Sequence, residues 1–261
     1  MSMTSRTLSV AGTTLEVVER GEGRALLFLH AGEGLAPERP WLELLARRYR
    51  VIAPHHPGYG NSPLLDGGAG GVGDLAYLYL DLARALELND AVLVGACLGG
   101  WIAAEMMVRT RGPFARLVLA APLGIKLGDR ETRDIADMHA MTRADYLARA
   151  WADPAKGAVD FAALPDAALA AIVRGREAFA LYGWKPYMHD PRLKRWLHRI
   201  DLPTLLLWGA EDGIVTPTYG EGWRQAIPGA RLDVIPDAGH FPHWEQPDEF
   251  VRRLAAFVDG P

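Results

Sequence analysis

Apolar and polar positions alternate near the start of the chain. Thr7–Val10 and Thr14–Val18 read as two strands joined at Ala11-Gly12, a hairpin signal. The alternation then gives way to short, continuous apolar runs: Arg24–His30, Val51–Pro54, Ala91–Val94, Arg116–Ala121, Pro203–Trp208 and Arg231–Ile235. Runs of this length, bounded by turn signals, are consistent with strands buried on both faces. Helical spacing fills the intervals. Pro40–Tyr49 sets Trp41, Leu42, Leu44 and Leu45 to one side, and Leu75–Leu88 repeats Leu75, Leu78, Leu82 and Leu86. Further helices are predicted after Gly100 through Val108, over Tyr219–Ala226 and over Pro247–Val258. Strands alternating with helices predict a mostly parallel sheet covered on both faces.

Between Lys126 and Arg199 that rhythm stops. No strand is evident, and helical pieces are expected at Arg133–Met141, Ala144–Trp151, Asp166–Phe179 and Pro191–Ile200. The segment reads as a helical insertion into one α/β domain, which suits a chain of 261 residues. The glycine-rich stretch Gly67–Gly73 is expected to be a loop.

Charge excludes more than composition does. The net charge is −4 and the arginines are scattered among acids, so no basic field exists to hold a nucleic acid or an anionic membrane. The run Arg47-Arg48-Tyr49-Arg50 is expected to be a solvated helix end. No apolar stretch reaches the ~18 residues that span a bilayer. The opening Met-Ser-Met-Thr-Ser-Arg lacks a basic-then-apolar leader, so a cytoplasmic protein is expected. Cys97 is the only cysteine, which rules out an internal disulfide and a cysteine-based zinc site.

That cysteine sits in Gly95-Ala96-Cys97-Leu98-Gly99, a Gly-x-nucleophile-x-Gly pattern between a strand and a helix. The nucleophile of such a turn is held in a strained backbone conformation, so its neighbours two residues away must be small. The side chain is lifted above the sheet and aimed at a helix N-terminus, where free N–H groups favour an anion such as a thiolate. The plain alternative is a small buried hydrophobe. Two other loops weigh against it. Leu205–Asp212 places an acid just past one strand, and Asp237-Ala-Gly-His240 places a histidine just past the next. In parallel sheets, the loops at the carboxyl ends of strands gather the active site. Asp212 fits the Gly-x-x-Asp spacing better than Glu211 or Asp237.

Five segments in order, Phe28–Gly32, Pro54–Ser62, Gly95–Gly100, Trp208–Asp212 and Gly239–Pro242, make the chain resemble an α/β-hydrolase over nearly its whole length. The resemblance implies an α/β fold: a mostly parallel eight-stranded sheet flanked by helices, with a core of residues 1–122 and 201–261 and a helical cap of residues 123–200. It implies cleavage of esters, thioesters, amides or carbon–carbon bonds of a small-molecule acyl substrate, with no metal or organic cofactor. By position, Cys97 is the nucleophile, His240 the general base and Asp212 the orienting acid. The oxyanion donors are the backbone N–H groups of Leu98 and Gly32. Ala31, where relatives usually have glycine, and His139, Trp184 and Tyr187 of the cap are expected to meet substrate. His30, His55, His56 and His243 read as structural.

Cys97 departs from the serine usual in this family. A natural thiol nucleophile, an introduced serine-to-cysteine exchange, and a ligand-binding pseudoenzyme all remain open. A thiol also yields an acyl-thioester, which amines and thiols attack well, so acyl transfer stands beside hydrolysis. Position 97 is not Asp, which argues against haloalkane or epoxide chemistry, and Phe241 follows His240 where a lyase would need a nearby lysine.

Overall fold

A computed structural model describes residues 4–35, 40–68 and 70–260. Eight strands form one sheet: β1 Thr4–Val10, β2 Thr13–Arg20, β3 Ala25–Leu29, β4 Arg50–Pro54, β5 Ala91–Ala96, β6 Phe114–Ala120, β7 Thr204–Gly209 and β8 Arg231–Ile235. They lie in the order β1-β2-β4-β3-β5-β6-β7-β8. Only β2 runs against its neighbours, pairing antiparallel with β1 and β4; the remaining pairs are parallel.

The continuous apolar runs are explained by burial on both sheet faces. All six residues of β5 and all six of β7 are buried. Each such Leu or Val contributes ~1.5–3 kcal/mol relative to an exposed side chain. The covering helices are α1 Pro40–Ala46, α2 Val72–Ala85, α3 Leu98–Arg109, then α4 Arg143–Ala150, α5 Pro154–Gly157, α6 Asp166–Gly183 and α7 Leu193–Trp196, and finally α8 Pro217–Ala226, α9 Pro242–Glu245 and α10 Pro247–Val258. Helices α4 to α7 all fall between β6 and β7, where the strand–helix rhythm of the sequence stops.

Several boundaries differ from the sequence expectation. Helix α1 ends at Ala46 because Arg48 and Tyr49 both donate to the Leu45 carbonyl, closing the last turn. Helix α2 starts at Val72, inside the glycine-rich stretch, because Asp74 accepts from the Gly71 N–H at 2.8 Å and caps the first turn. The helix expected at Arg133–Met141 does not form. Asp134 takes the N–H groups of Leu127 and Gly128, and Asp129 takes those of Glu131 and Thr132. The backbone of Ala136 bonds to Ile214 and that of Met138 to the Tyr187 hydroxyl. The carboxylates hold the chain before the segment in turns, and the tertiary partners of Ala136 and Met138 take backbone groups the helix would need. The helix expected at Pro191–Ile200 is reduced to α7 and one 3-10 turn, Leu197–Arg199.

The parallel register places the loops of the candidate site residues together. Leu29 pairs with Gly95, Ala96 with Ala120, Ala120 with Leu207 and Gly209 with Ile235, so β3, β5, β6, β7 and β8 end at one edge. Gly32, Cys97, Asp212 and His240 each follow such an end within five residues.

Candidate active site

Cys97 links β5 to α3 with φ 52° and ψ −113°, a conformation that L-residues adopt only under constraint. The constraint is steric. A Cβ on Gly95 would lie 2.3 Å from the Gly99 carbonyl oxygen, and one on Gly99 would lie 2.0 Å from the Leu29 carbonyl oxygen. Backbone packs against backbone here, and only glycine permits it. The Cys97 N–H donates to the Ala120 carbonyl, and its own carbonyl accepts from Trp101 and Leu123. Leu98 is the first residue of α3, so its N–H has no carbonyl one turn below to bond.

Asp212 and His240 form a buried pair, with His240 Nδ1 2.9 Å from Asp212 Oδ2. The other carboxylate oxygen accepts from the Ile214 and Val215 N–H groups at 2.9 and 3.0 Å, which fixes its plane. Because the carboxylate accepts, Nδ1 carries a proton in either charge state, and Nε2 is the atom through which the ring gains or loses one. Nε2 is buried and faces Cys97, and no other described residue offers it a hydrogen bond. Burial pushes the His240 pKa down, but the Asp212 carboxylate and the facing Cys97 outweigh it, and the net direction is well above the ordinary value.

The loop after β3 is held by a histidine network. His56 donates its N–H to His30 Nε2 at 2.9 Å, so His30 carries its proton on Nδ1 and donates it to the Ala31 carbonyl at 2.7 Å. His56 Nε2 donates to the His30 carbonyl at 2.9 Å, and its Nδ1 accepts from the Tyr79 hydroxyl. Burial drives the His56 pKa down to about 3, which keeps the ring neutral. The Ala31 carbonyl also accepts from Gly34 N–H at 3.0 Å, and the Gly32 carbonyl accepts from the Tyr59 hydroxyl at 3.0 Å. The peptides on both sides of Gly32 are thus fixed. Phe179 of α6 packs over Gly32, where a Cβ would come within 2.8 Å of its ring.

His55 and His243 sit outside this network. Ser62 accepts from the Glu16 N–H and donates to the His55 carbonyl, tying that loop to β2. His243 packs among Phe28, Trp41 and Phe250. Ala31 is buried, and Tyr187 bridges Met138 and Ala136. His139 lies 5.9 Å from Phe179 and 6.2 Å from Tyr187, ring to ring. Trp184 touches that group at 6.2 Å but is 63% exposed, so most of its ring faces solvent.

Three residues that sequence reasoning missed, Tyr59, Tyr146 and Glu245, border the loops that carry Gly32 and His240. The Tyr146 hydroxyl bonds to Glu33, next to Gly32. Burial, then Glu33, then Cys97 raise the pKa values of Tyr59 and Tyr146 well above the ordinary value, so both phenols stay protonated. Glu245, five residues after His240, is buried and accepts from Gly239 N–H at 2.7 Å. A tyrosine at helical spacing gives no sign of facing a site, and an acid beyond the histidine gives none of pointing inward.

An open depression between α2, α3 and α7, lined by Tyr77, Arg109, Asp190 and Trp196 among others, lies at the end of α3 away from Cys97. Two ion pairs lie within it, Arg109 with Glu105 and Arg192 with Asp190. Among the described residues, no helix is long and apolar enough to cross a membrane, and no cluster of three or more His, Cys, Asp or Glu side chains could hold a metal ion.

Comparison with known proteins agrees with this architecture. The chain is 26% identical over 263 residues to the 2-hydroxy-6-oxo-6-phenylhexa-2,4-dienoate hydrolase of Burkholderia cepacia, covering 92% of this chain and 89% of that protein. It is 25% identical over 264 residues to an uncharacterized protein of Mycobacterium bovis, covering 92% of this chain and 76% of the relative. The solved structure of a serine hydrolase from the polyaromatic-hydrocarbon-degrading bacterium Cycloclasticus zankles superposes with a TM-score of 0.80 at 19% identity, over 99% of both chains. The sequence profile of the alpha/beta hydrolase family matches residues 26–253, and with the eight-stranded sheet this places the chain in that family.

Proposed function

We propose that the protein cleaves an ester, thioester or related acyl substrate through a covalent acyl-enzyme at Cys97, beneath a cap formed by residues 123–200. The observation that carries this reading is the His240–Asp212 pair, which commits Nδ1 and turns a buried Nε2 toward Cys97 in its constrained turn. In the reaction, His240 Nε2 takes the Cys97 proton, and the sulfur attacks the substrate carbonyl carbon. Asp212 holds the imidazolium that forms. The carbonyl oxygen becomes an oxyanion between the Leu98 and Gly32 N–H groups, each such donor typically worth ~3 kcal/mol. The tetrahedral intermediate collapses, and the leaving group departs with the proton from His240. Water, deprotonated by His240, then attacks the thioester and releases the acid. Ala31, His139 and Tyr187, with Tyr59 and Tyr146, line the approach in this reading; Trp184 would stand at its mouth.

The relative from Burkholderia cepacia bears the name of a dienoate hydrolase, so carbon–carbon cleavage belongs among the reactions tested. The test is incubation with short-chain nitrophenyl esters, acyl thioesters and that dienoate, followed by product release and intact mass. The expected result is release with an acyl adduct on Cys97, both lost in Cys97→Ala. A product acylated on an added amine or thiol would mark acyl transfer. Neither release nor adduct with any substrate would sink the proposal and favour a ligand-binding role.

A further inference from the structure

Segment 143–157 meets the loops of the acid, the base and β3 at once. The Arg149 carbonyl accepts from Gly213 N–H at 2.8 Å, one residue past Asp212, and the Ala150 carbonyl accepts from His240 N–H at 2.7 Å. One turn earlier in α4, Tyr146 bonds to Glu33 beside Gly32. The approach is close: a Cβ on Gly239 would lie 2.5 Å from the Ala150 carbonyl oxygen. Trp151 stacks on Phe241 and Trp244 at 5.0 and 5.3 Å.

One buried side chain bridges the two sides of this contact. Glu245 accepts from Gly239 N–H at 2.7 Å with Oε2 and from Asp153 N–H at 3.0 Å with Oε1. The first donor precedes His240; the second lies between α4 and α5. Lys156 donates to the Glu245 carbonyl at 2.9 Å, reinforcing the same junction. A carboxylate with both oxygens met by backbone N–H groups makes strong bonds of fixed direction.

We infer that Glu245 is a positioning residue that fastens segment 143–157 to the loop carrying His240, so that docking of the insertion and alignment of the base are one event. The inference rests on the reading of His240 as general base. Lifting the segment would strip His240 and Gly213 of their backbone partners and free one carboxylate oxygen of Glu245. The imidazole would then lose its fixed geometry against Asp212. Glu245 does not act on substrate; Asp212 and Cys97 are the titratable groups that face the His240 ring.

Two variants of the full chain test this. Glu245→Gln keeps the volume but leaves one accepting oxygen for two N–H donors. Asp153→Pro removes the donor on the insertion side, and with it the Asp153 cap on Ala155 N–H and the native φ of −111°, so Asp153→Ala, which loses the cap but keeps the donor, is its control. Each is followed by thermal unfolding, by ester kinetics, and by the NMR titration of His240, assigned from its loss in His240→Gln. We expect folded proteins whose kcat falls about tenfold or more with little change in KM, since small misplacements of a reacting group cost large factors. The His240 titration should move down from its raised position as the Asp212 contact loosens. A folded Glu245→Gln with an unchanged His240 titration overturns the inference. So does a wild-type titration and kcat in Asp153→Pro, which also decides the matter alone if Glu245→Gln fails to fold. If the unmodified protein cleaves no substrate, the proposed function falls, while the titrations still decide this one.

Discussion

His56 donates to His30 twice: its backbone N–H to His30 Nε2, and its ring Nε2 to the His30 carbonyl, both at 2.9 Å. The pair fixes both tautomers without any charge, and through His30 Nδ1 it orients the peptide that carries the Gly32 N–H. A protonated His56 would have to donate from Nδ1 as well, toward a Tyr79 hydroxyl that now donates to it.

The first prediction concerns acid stability. The His56 pKa falls from 6.5 to about 3 on folding, so between those values the unfolded chain binds the extra proton. Stability is therefore present above pH 6.5 and lost as pH falls, by about 1.4 kcal/mol per pH unit for one such proton. His55 is depressed by burial in the same direction. His56→Gln should flatten the slope by close to one proton. Urea unfolding at several pH values from 7 to 4 measures it, and an unchanged slope would contradict the assignment.

A second prediction follows from the electrostatics of the base. Asp212 is the largest influence raising the His240 pKa against burial. Asp212→Asn should move the acid limb of the kcat/KM profile to lower pH, since burial then acts against less opposition. It should also cost on the order of 10²–10⁴ in rate by loosening the ring and its tautomer. A pH–rate profile reads both effects, and an acid limb moving to higher pH would exclude Asp212 as the partner.

The elbow glycines predict a stability effect. Gly99→Ala sets a methyl 2.0 Å from the Leu29 carbonyl oxygen, a backbone atom with no rotamer to relieve the clash. The expected cost is about 3 kcal/mol or more, seen as a lower midpoint in denaturant. Gly229→Ala, with open space around it but φ +72°, should cost less.

Cys97→Ser separates the origins of the thiol. Sulfur is larger than oxygen and its bond to carbon is longer, so in the proposed acyl-enzyme the carbonyl would sit differently between the Leu98 and Gly32 N–H groups. A fraction of an ångström takes a large part of the ~3 kcal/mol each donor supplies. The expected outcome is a serine form with higher kcat/KM on an activated ester. A serine form slower by about tenfold or more would mark a site built around sulfur, because a hydroxyl needs stronger activation.

The sequence alone determined the order of strands and helices, because a buried strand demands an unbroken apolar run and a surface helix an apolar stripe. It determined the elbow as well, since hard-sphere contacts around Gly95 and Gly99 leave no other residue type. It also placed Asp212 and His240 just beyond strand ends, and parallel pairing brings such ends to one edge. The tertiary structure decided the rest. Arg133–Met141 has a helix-like pattern, yet Ile214 and Tyr187 claim the backbone N–H groups of Ala136 and Met138 from afar. The donor and acceptor roles of His30 and His56 exist only once β3, β4 and α2 are packed. The seating of Arg149 and Ala150 on the acid and base loops leaves no trace in the chain, because a backbone carbonyl bonds alike whatever side chain it carries.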